Sequence, residues 1–528
     1  MISKSFSRPY WSFSSATALI EIFISAGAVL LLVFSTGSAA PLNTGNSSYF
    51  LFSEDMGEVK GSPSGMFWDY VSFETEAGEF KTHDETGGYE WKISPYIQMG
   101  SHTFNSPHAY SSYWNLRLYS ELRYGGLSVI HSANADSRYE SDPYYPAHRE
   151  RSIRGRIDQG YVQFDYSRGF FRLGRMNRNW GPFSDKSMIL SNHPYSYDAL
   201  EWQFFTSWME FRHLFAAFPH MRSHWDSQWE SGTGKALNRY FGAHSLNFRL
   251  GRWITLGITE TIVFSRKNGM PDLQYINPFS FYAALNGNQE GDVNLLTGIQ
   301  WSLRPLTNKI EWKGQIAVDD FQIDDPEESG NLNDKEPNHW GFATEVVFRN
   351  PLSVDLDHVL KADYTYASKY LYTVSDENTR NGERYSYKGK SLGYPEMDGD
   401  RFSLSFSCAG NNYWTAGLEG AFQRKGQKDM FSKWGDSERP IDIRYDMIEL
   451  PLDYKDNRFP SGTVETSYEL KIKGSAYLWG KTELKTSITS RWIKNMDNIH
   501  TGRYEYHPSI HLELSLFHDN LRISLPKQ

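Results

Sequence analysis

Residues able to bind or react are spread along this chain of 528 residues, and few fall at spacings that chemistry requires. His220 and His224 flank Arg222, with Trp225 and Trp229 just beyond. Two histidines four apart share one helix face and could grip a metal, but no third ligand stands at a suitable spacing, so no metal is expected. The same stretch suits a sugar better. Flat rings such as Trp225 and Trp229 stack on the apolar faces of sugars, and Arg222 can hold the carboxylate of an acidic sugar with two parallel hydrogen bonds. Asp319 and Asp320 are adjacent, and adjacent strand residues point to opposite sides, so they cannot act as a matched acid–base pair. There is no Gly-x-Ser-x-Gly elbow and no phosphate-binding loop. The lone cysteine, Cys408, excludes an intramolecular disulfide and any Cys-rich metal site, and reads as a small apolar strand residue. These residues point to binding, without catalysis or cofactor.

Composition says which elements must position them. The 54 basic and 63 acidic side chains leave a net charge of −9, against a nucleic-acid partner. One long apolar run exists, Ile22 to Phe34, preceded by Lys4 and Arg8 and followed by small residues up to Ala40. That order is a secretory signal, with cleavage expected after Ala39. Aromatics reach 16%, a content that the aromatic girdles of an outer-membrane barrel require.

Period-two alternation recurs along the chain, the mark of strands with two unlike faces. Leu246, Phe248 and Leu250 alternate with Ser245, Asn247 and Arg249; beyond a turn at Gly251, Ile254, Leu256 and Ile258 oppose Thr255, Gly257 and Thr259. Phe402, Leu404 and Phe406 oppose three serines, and Leu512, Leu514 and Leu516 oppose His511, Glu513 and Ser515. Tight turns alternate with long polar stretches such as Asp324–His339 and Ser375–Asp400. At about 24 residues per strand and connection, the chain would supply about 18 strands of an all-β transmembrane antiparallel barrel. The expected organisation is a signal at 1–39, an irregular segment at 40–90 serving as plug or extension, and the barrel over 91–528. Tyr197–Phe218 suits either a short helical insert or two irregular strands.

The most distinctive stretch is Leu173–Ser191, LGRMNRNWGPFSDKSMILS, with Gly174-Arg175 ending a strand and Trp180-Gly181-Pro182 forcing a turn. His244 then opens a strand hairpin in which Glu260 interrupts the apolar face. Asn277-Pro278-Phe279, Tyr282 and Asp319-Asp320-Phe321 follow. In that order the series resembles the capsule-assembly outer-membrane family called Wzi-like, over about residues 160 to 325. The chain departs from that pattern at Phe183, where the family usually has Gly, and at its end, Leu525-Pro526-Lys527-Gln528, where outer-membrane barrels usually place an aromatic; Phe517 closes a good strand shortly before.

The resemblance implies a barrel of about 18 strands in the outer membrane with a lectin-like role, retaining a capsular or exopolysaccharide at the surface. Its partners would be that polysaccharide, outer-membrane lipid and the barrel-assembly machinery, with no nucleic acid. The competing reading is a porin or transporter with a charged lumen. The motif positions are expected to be mainly structural, and Glu260, costly against lipid, is expected to turn into the lumen through a bulge and pair with Arg266 or Arg249.

Overall fold

The computed structural model describes residues 89–525 apart from connecting stretches, of which 220–236, 321–338 and 433–458 are the longest. Arg222, Trp225 and Trp229 lie outside the described residues, as do His220, His224, the expected signal and the segment 40–88.

Eighteen antiparallel strands close into one barrel. The first six are β1 (Tyr89–Thr103), β2 (Tyr110–Tyr124), β3 (Leu127–Asp136), β4 (Gly155–Tyr166), β5 (Gly169–Met176) and β6 (Tyr197–Phe205). Next come β7 (Met209–Phe218), β8 (Leu237–Leu250), β9 (Ile254–Lys267), β10 (Val293–Leu303), β11 (Ile310–Asp320) and β12 (His339–Arg349). The wall ends with β13 (Asp357–Ala367), β14 (Gly399–Gly410), β15 (Trp414–Lys425), β16 (Glu465–Tyr477), β17 (Thr482–Lys494) and β18 (Tyr504–Phe517). β18 pairs its second half with Tyr96–Thr103 of β1, and Leu521–Leu525 continues the pairing along Tyr89–Ile93. The stretch Tyr197–Phe218, ambiguous by periodicity, is two strands joined by a tight turn in which Thr206 N–H donates to the Met209 carbonyl.

Every connection longer than seven residues lies at one end, the asymmetry of outer-membrane barrels. The alternation read from the sequence separates two environments. Leu116, Leu118, Leu173, Leu256, Ile258, Ile299, Ile488 and Leu512 stand exposed on the outer face, an apolar band far larger than a soluble monomer carries. The inner face carries the charged and hydroxyl residues, among them Glu345, Asp363, Ser403 and Glu513.

Glu260 departs from expectation. Pairing runs unbroken from Ile254 to Phe264 against both neighbouring strands, so no bulge turns the residue inward. It stays on the outer face between Ile258 and Ile262, and Arg266 pairs with Asp272 instead. A connecting segment that folds back over the wall there, 269–288, supplies the missing partner: Tyr282 N–H donates to Glu260 Oε2 at 3.0 Å.

Inside, two long connections fold into the lumen on the side of β5 to β14. Residues 177–196 bury Trp180, Met188, Ile189 and Leu190, and residues 368–374 and 380–398 bury Leu371, Tyr372, Tyr385 and Leu392, in one continuous core. The wall makes room for them with small inward residues: Ala199, Ala216, Ala243, Ala317, Ala343 and Ala367 are all buried there. A Leu at any of these positions would collide with the plug.

The face assignment is testable on β17, where Ile488 faces outward and Ser487 inward. Ile488→Arg should cost about 2–4 kcal/mol of insertion free energy at mid-depth, and Ser487→Arg far less. The check is the fraction of heat-modifiable, folded barrel recovered in lipid vesicles. Thr255, inward but fully buried, would not serve as the tolerant control.

Candidate functional site

The plug is held by polar bonds as well as by its core. Tyr372 Oη donates to the Met188 carbonyl and Tyr385 Oη to that of Ile189, the latter at 2.6 Å, so the second loop grips the first. Gln315 of β11 takes the Met188 N–H at 2.6 Å and donates to the Trp180 carbonyl at 3.3 Å. Arg239 of β8 donates to the carbonyls of Gly382, Arg384 and Ser386, and Lys186 reaches Glu345 and Asp363 at 3.1 and 3.0 Å. Buried charges of this kind persist only when paired, so the plug is docked in one defined position.

Several motif residues find their role here. Trp180 is buried, and its N–H donates to Leu190 across the loop. Gly181, with φ +147°, has Gln315 and Ser187 where a Cβ would go. Pro182 is buried beside it. Gly174, at φ +134°, lets β5 approach β4 so closely that a Cβ would overlap the Gly160 carbonyl. Asp319 accepts the Tyr372 N–H at 3.2 Å. Asp320 pairs with His339 in the ladder, after a register shift. His244, Asn277, Pro278 and Tyr282 belong to the covered outer wall around Glu260.

Arg175 differs from these. At the long-connection end it joins Arg156 and Lys388 around a cleft of about 300 Å³ floored by Tyr195 and Tyr387. Arg156 lies 4.3 Å over the Tyr195 ring, where Lys390 also lies at 4.3 Å, and it bonds Ser196 and Asp158. Arg175 pairs with exposed Asp198 at 2.5 Å. Lys388 has no carboxylate within ion-pair distance among the described residues. It occupies the first central position of a two-residue hairpin turn, with φ +47° followed by Gly389 at +83°. That turn favours Asn-Gly, and a lysine held in the left-handed region is a costly choice. Burial, then the charges of Arg175 and Arg156, push the Lys388 ammonium below the ordinary lysine value. Burial and Lys390 lower nearby His193 to about 4, so it adds no charge at neutral pH. With Arg156 and Arg175 each paired to a carboxylate, Lys388 is the cleft's cation in excess, suited to a carboxylate or another anion.

The sequence reading reached Arg175 through its motif but missed Arg156 and Lys388. The Tyr-Lys-Gly-Lys run within Ser375–Asp400 was the available signal, since a Lys-Gly pair between strand-like residues marks a hairpin tip.

Fold, apolar outer band and one-sided connections define a transmembrane β-barrel of the outer-membrane type. Its resemblance to known structures follows that class. Wzi of Escherichia coli, described as an outer-membrane protein involved in group 1 capsule assembly and a carbohydrate-binding β-barrel, superposes with a TM-score of 0.50 at 12% identity, over 80% of this chain and 84% of that one. The resemblance read from the motifs is thus met in the fold. Pseudomonas aeruginosa OpdK with vanillate gives a TM-score of 0.45 at 9% identity, covering 82% of this chain and 99% of that one. OccD3 (OpdP) of the same organism gives 0.42 at 9%, covering 82% and 91%. No family model and no curated protein matches by sequence.

Binding of an acidic oligosaccharide at the cleft should be strongest while Lys388 is charged and should weaken as pH rises through its lowered pKa, earlier than an ordinary lysine allows. Lys388→Arg should abolish that loss without weakening binding at neutral pH, because guanidinium stays charged. Titration calorimetry across the alkaline range checks both.

Proposed function

We propose that this protein is an exported outer-membrane barrel that retains an acidic capsular or exopolysaccharide at the cell surface without cleaving it. The observation that carries the reading is the pairing of a lumen packed by two inward loops with the cationic cleft of Arg156, Arg175 and Lys388 at the long-connection end. In outer-membrane barrels that end faces outward, where a surface polymer lies. Each contact to one repeat is weak, but a polymer offers many repeats, and avidity supplies retention. The carbohydrate-binding description of Wzi agrees with this role. Arg222, Trp225 and Trp229, expected from the sequence as sugar contacts, remain part of the proposal as residues of the stretch between β7 and β8.

A porin is the second reading. It is favoured by the other side of the lumen, where inward residues of β15 to β17, among them Glu469, Lys471, Lys473 and Arg491, are only half-buried or exposed. A cavity of about 180 Å³ there lies between Arg401, Ala421, Glu469 and Arg491.

Two measurements separate the readings. The purified full chain in planar bilayers should show no large steady conductance steps; such steps would favour the porin. In a strain that makes capsule, deleting the gene should leave polymer synthesis intact and shift polymer from cells into the medium. Complementation with Arg156→Ala/Arg175→Ala/Lys388→Ala should restore retention only partly, since each lost charge-assisted bond lowers affinity about ten-fold. Unchanged cell-bound polymer on deletion would reject the retention role.

A further inference from the structure

The outer wall of β7 to β9 carries polar side chains where lipid would lie. His213 and His244 are buried there with their rings stacked at 4.9 Å, and Glu260 pairs with His244 in the ladder. Three such groups facing acyl chains would each be costly. What covers them is the β9–β10 connection, which turns back down the outside of the barrel through two short helices, α1 (Leu273–Ile276) and α2 (Tyr282–Asn288).

The wall bonds the backbone of this segment at its start, its middle and the first turn of α2. Asn238 and Tyr240 donate to the Gly269 carbonyl, each at 3.0 Å. His213 hydrogen-bonds the backbone of Ile276, and His244 that of Asn277. Glu260 takes the N–H of Tyr282 and also bonds the backbone of Ala283. The segment closes further bonds within itself: Tyr275 N–H to Asp272, Asn277 N–H to Leu273, Ser280 N–H to Asn277 and Leu285 N–H to Phe281. Gly242 makes the close approach fit, since a Cβ there would lie 2.5 Å from Tyr282 Oη.

Tyr275 and Tyr282 pack against the wall, whereas Met270, Leu273, Phe279 and Phe281 are 84, 81, 73 and 68% exposed. Phe279 stacks on Phe211 at 6.2 Å and meets Trp202 edge-on at 6.0 Å, so its surface is continuous with the apolar band on β6 and β7. Ile258 and Ile299 continue the band on the far side. Irregular backbone is tolerated at membrane depth only where protein satisfies its polar groups, and here the wall and the segment's own turns supply the partners just named.

We propose that residues 269–288 are embedded in the outer membrane against the barrel wall, with Met270, Leu273, Phe279 and Phe281 in contact with lipid acyl chains. On this assignment His213, His244 and Glu260 form a binding site for the chain's own backbone. The proposal rests on the barrel spanning a membrane and is independent of what the cleft binds.

The test is site-directed spin labelling of the full chain in a Cys408→Ser background, in vesicles of phosphatidylethanolamine and phosphatidylglycerol. Labels at Leu273→Cys and Phe279→Cys should collide readily with oxygen and poorly with a water-soluble nickel chelate, matching Leu256→Cys on the wall. Nickel collisions as frequent as at Thr501→Cys, in an exposed connection at the long-connection end, would place the segment in water and overturn the proposal. Low collision with both reagents would mean a protein partner, such as a second copy, covers it, and would overturn the proposal equally. Nickel access at Leu256→Cys as well would instead overturn the membrane placement of the barrel. A companion variant, Glu260→Leu, adds apolar surface yet removes the acceptor of Tyr282 N–H. It should increase the rate of proteolytic cleavage within 269–288 at least several-fold, and cleavage no faster than in the wild type would overturn the assignment.

Discussion

Backbone hydrogen bonding is the constraint from which the rest of this molecule follows. In hydrocarbon no water can accept or donate, so a strand wall must leave no open edge. Here the seam is closed by β18 and its continuation lying along Tyr96–Thr103 and Tyr89–Ile93 of β1. Once the wall is closed, period two fixes every strand residue as inner or outer. One lipid-facing band and one polar lumen result. Both the plug and the outer segment 269–288 solve the same difficulty, since each brings non-strand backbone into a place where its polar groups need partners from the wall.

The two solutions use different chemistry. On the inside, β11 offers the Gln315 amide, which donates and accepts at once, and β8 offers Arg239, a fork of donors aimed at successive carbonyls. A row of alanines lowers the inner wall so that Met188, Leu190 and Tyr385 can pack against it. On the outside the donors and acceptors are two imidazoles, one carboxylate, the Asn238 amide and the Tyr240 hydroxyl, set among isoleucines and phenylalanines. In both places an apparently misplaced residue is explained by the backbone it satisfies, with no need of a ligand.

Much of this was legible in the sequence. Leu246–Leu250 and Phe402–Cys408 announced their faces because a one-residue error in register would have put serine against lipid. The strand count followed from spacing. The plug was not readable as such: Trp180-Gly181-Pro182 signals a turn, but whether that turn enters the lumen depends on Ala317 and Gln315, far along the chain. Glu260 misled for a related reason. A carboxylate on an apolar face implied a bulge, whereas its partner Tyr282 N–H comes from the next connection, and no periodicity reports a loop folding backward. The cleft was half visible, because Arg175 sits in a recognisable motif and Lys388 in a hairpin tip of only four residues.

The pairing of Tyr89 with Leu525 has a consequence for how the protein is made. Hairpins joined by the short turns have only small loops to close, and these can form early and locally. The seam joins the two extremes of the strand order, and its contact has the largest sequence separation in the wall. Until the last strand has been delivered, β1 remains an unpaired edge, a template for any other extended chain. A chain truncated before Tyr504 would keep that edge permanently, which makes completion of the C-terminal strand the commitment step between a half-zipped sheet and a finished pore-shaped shell.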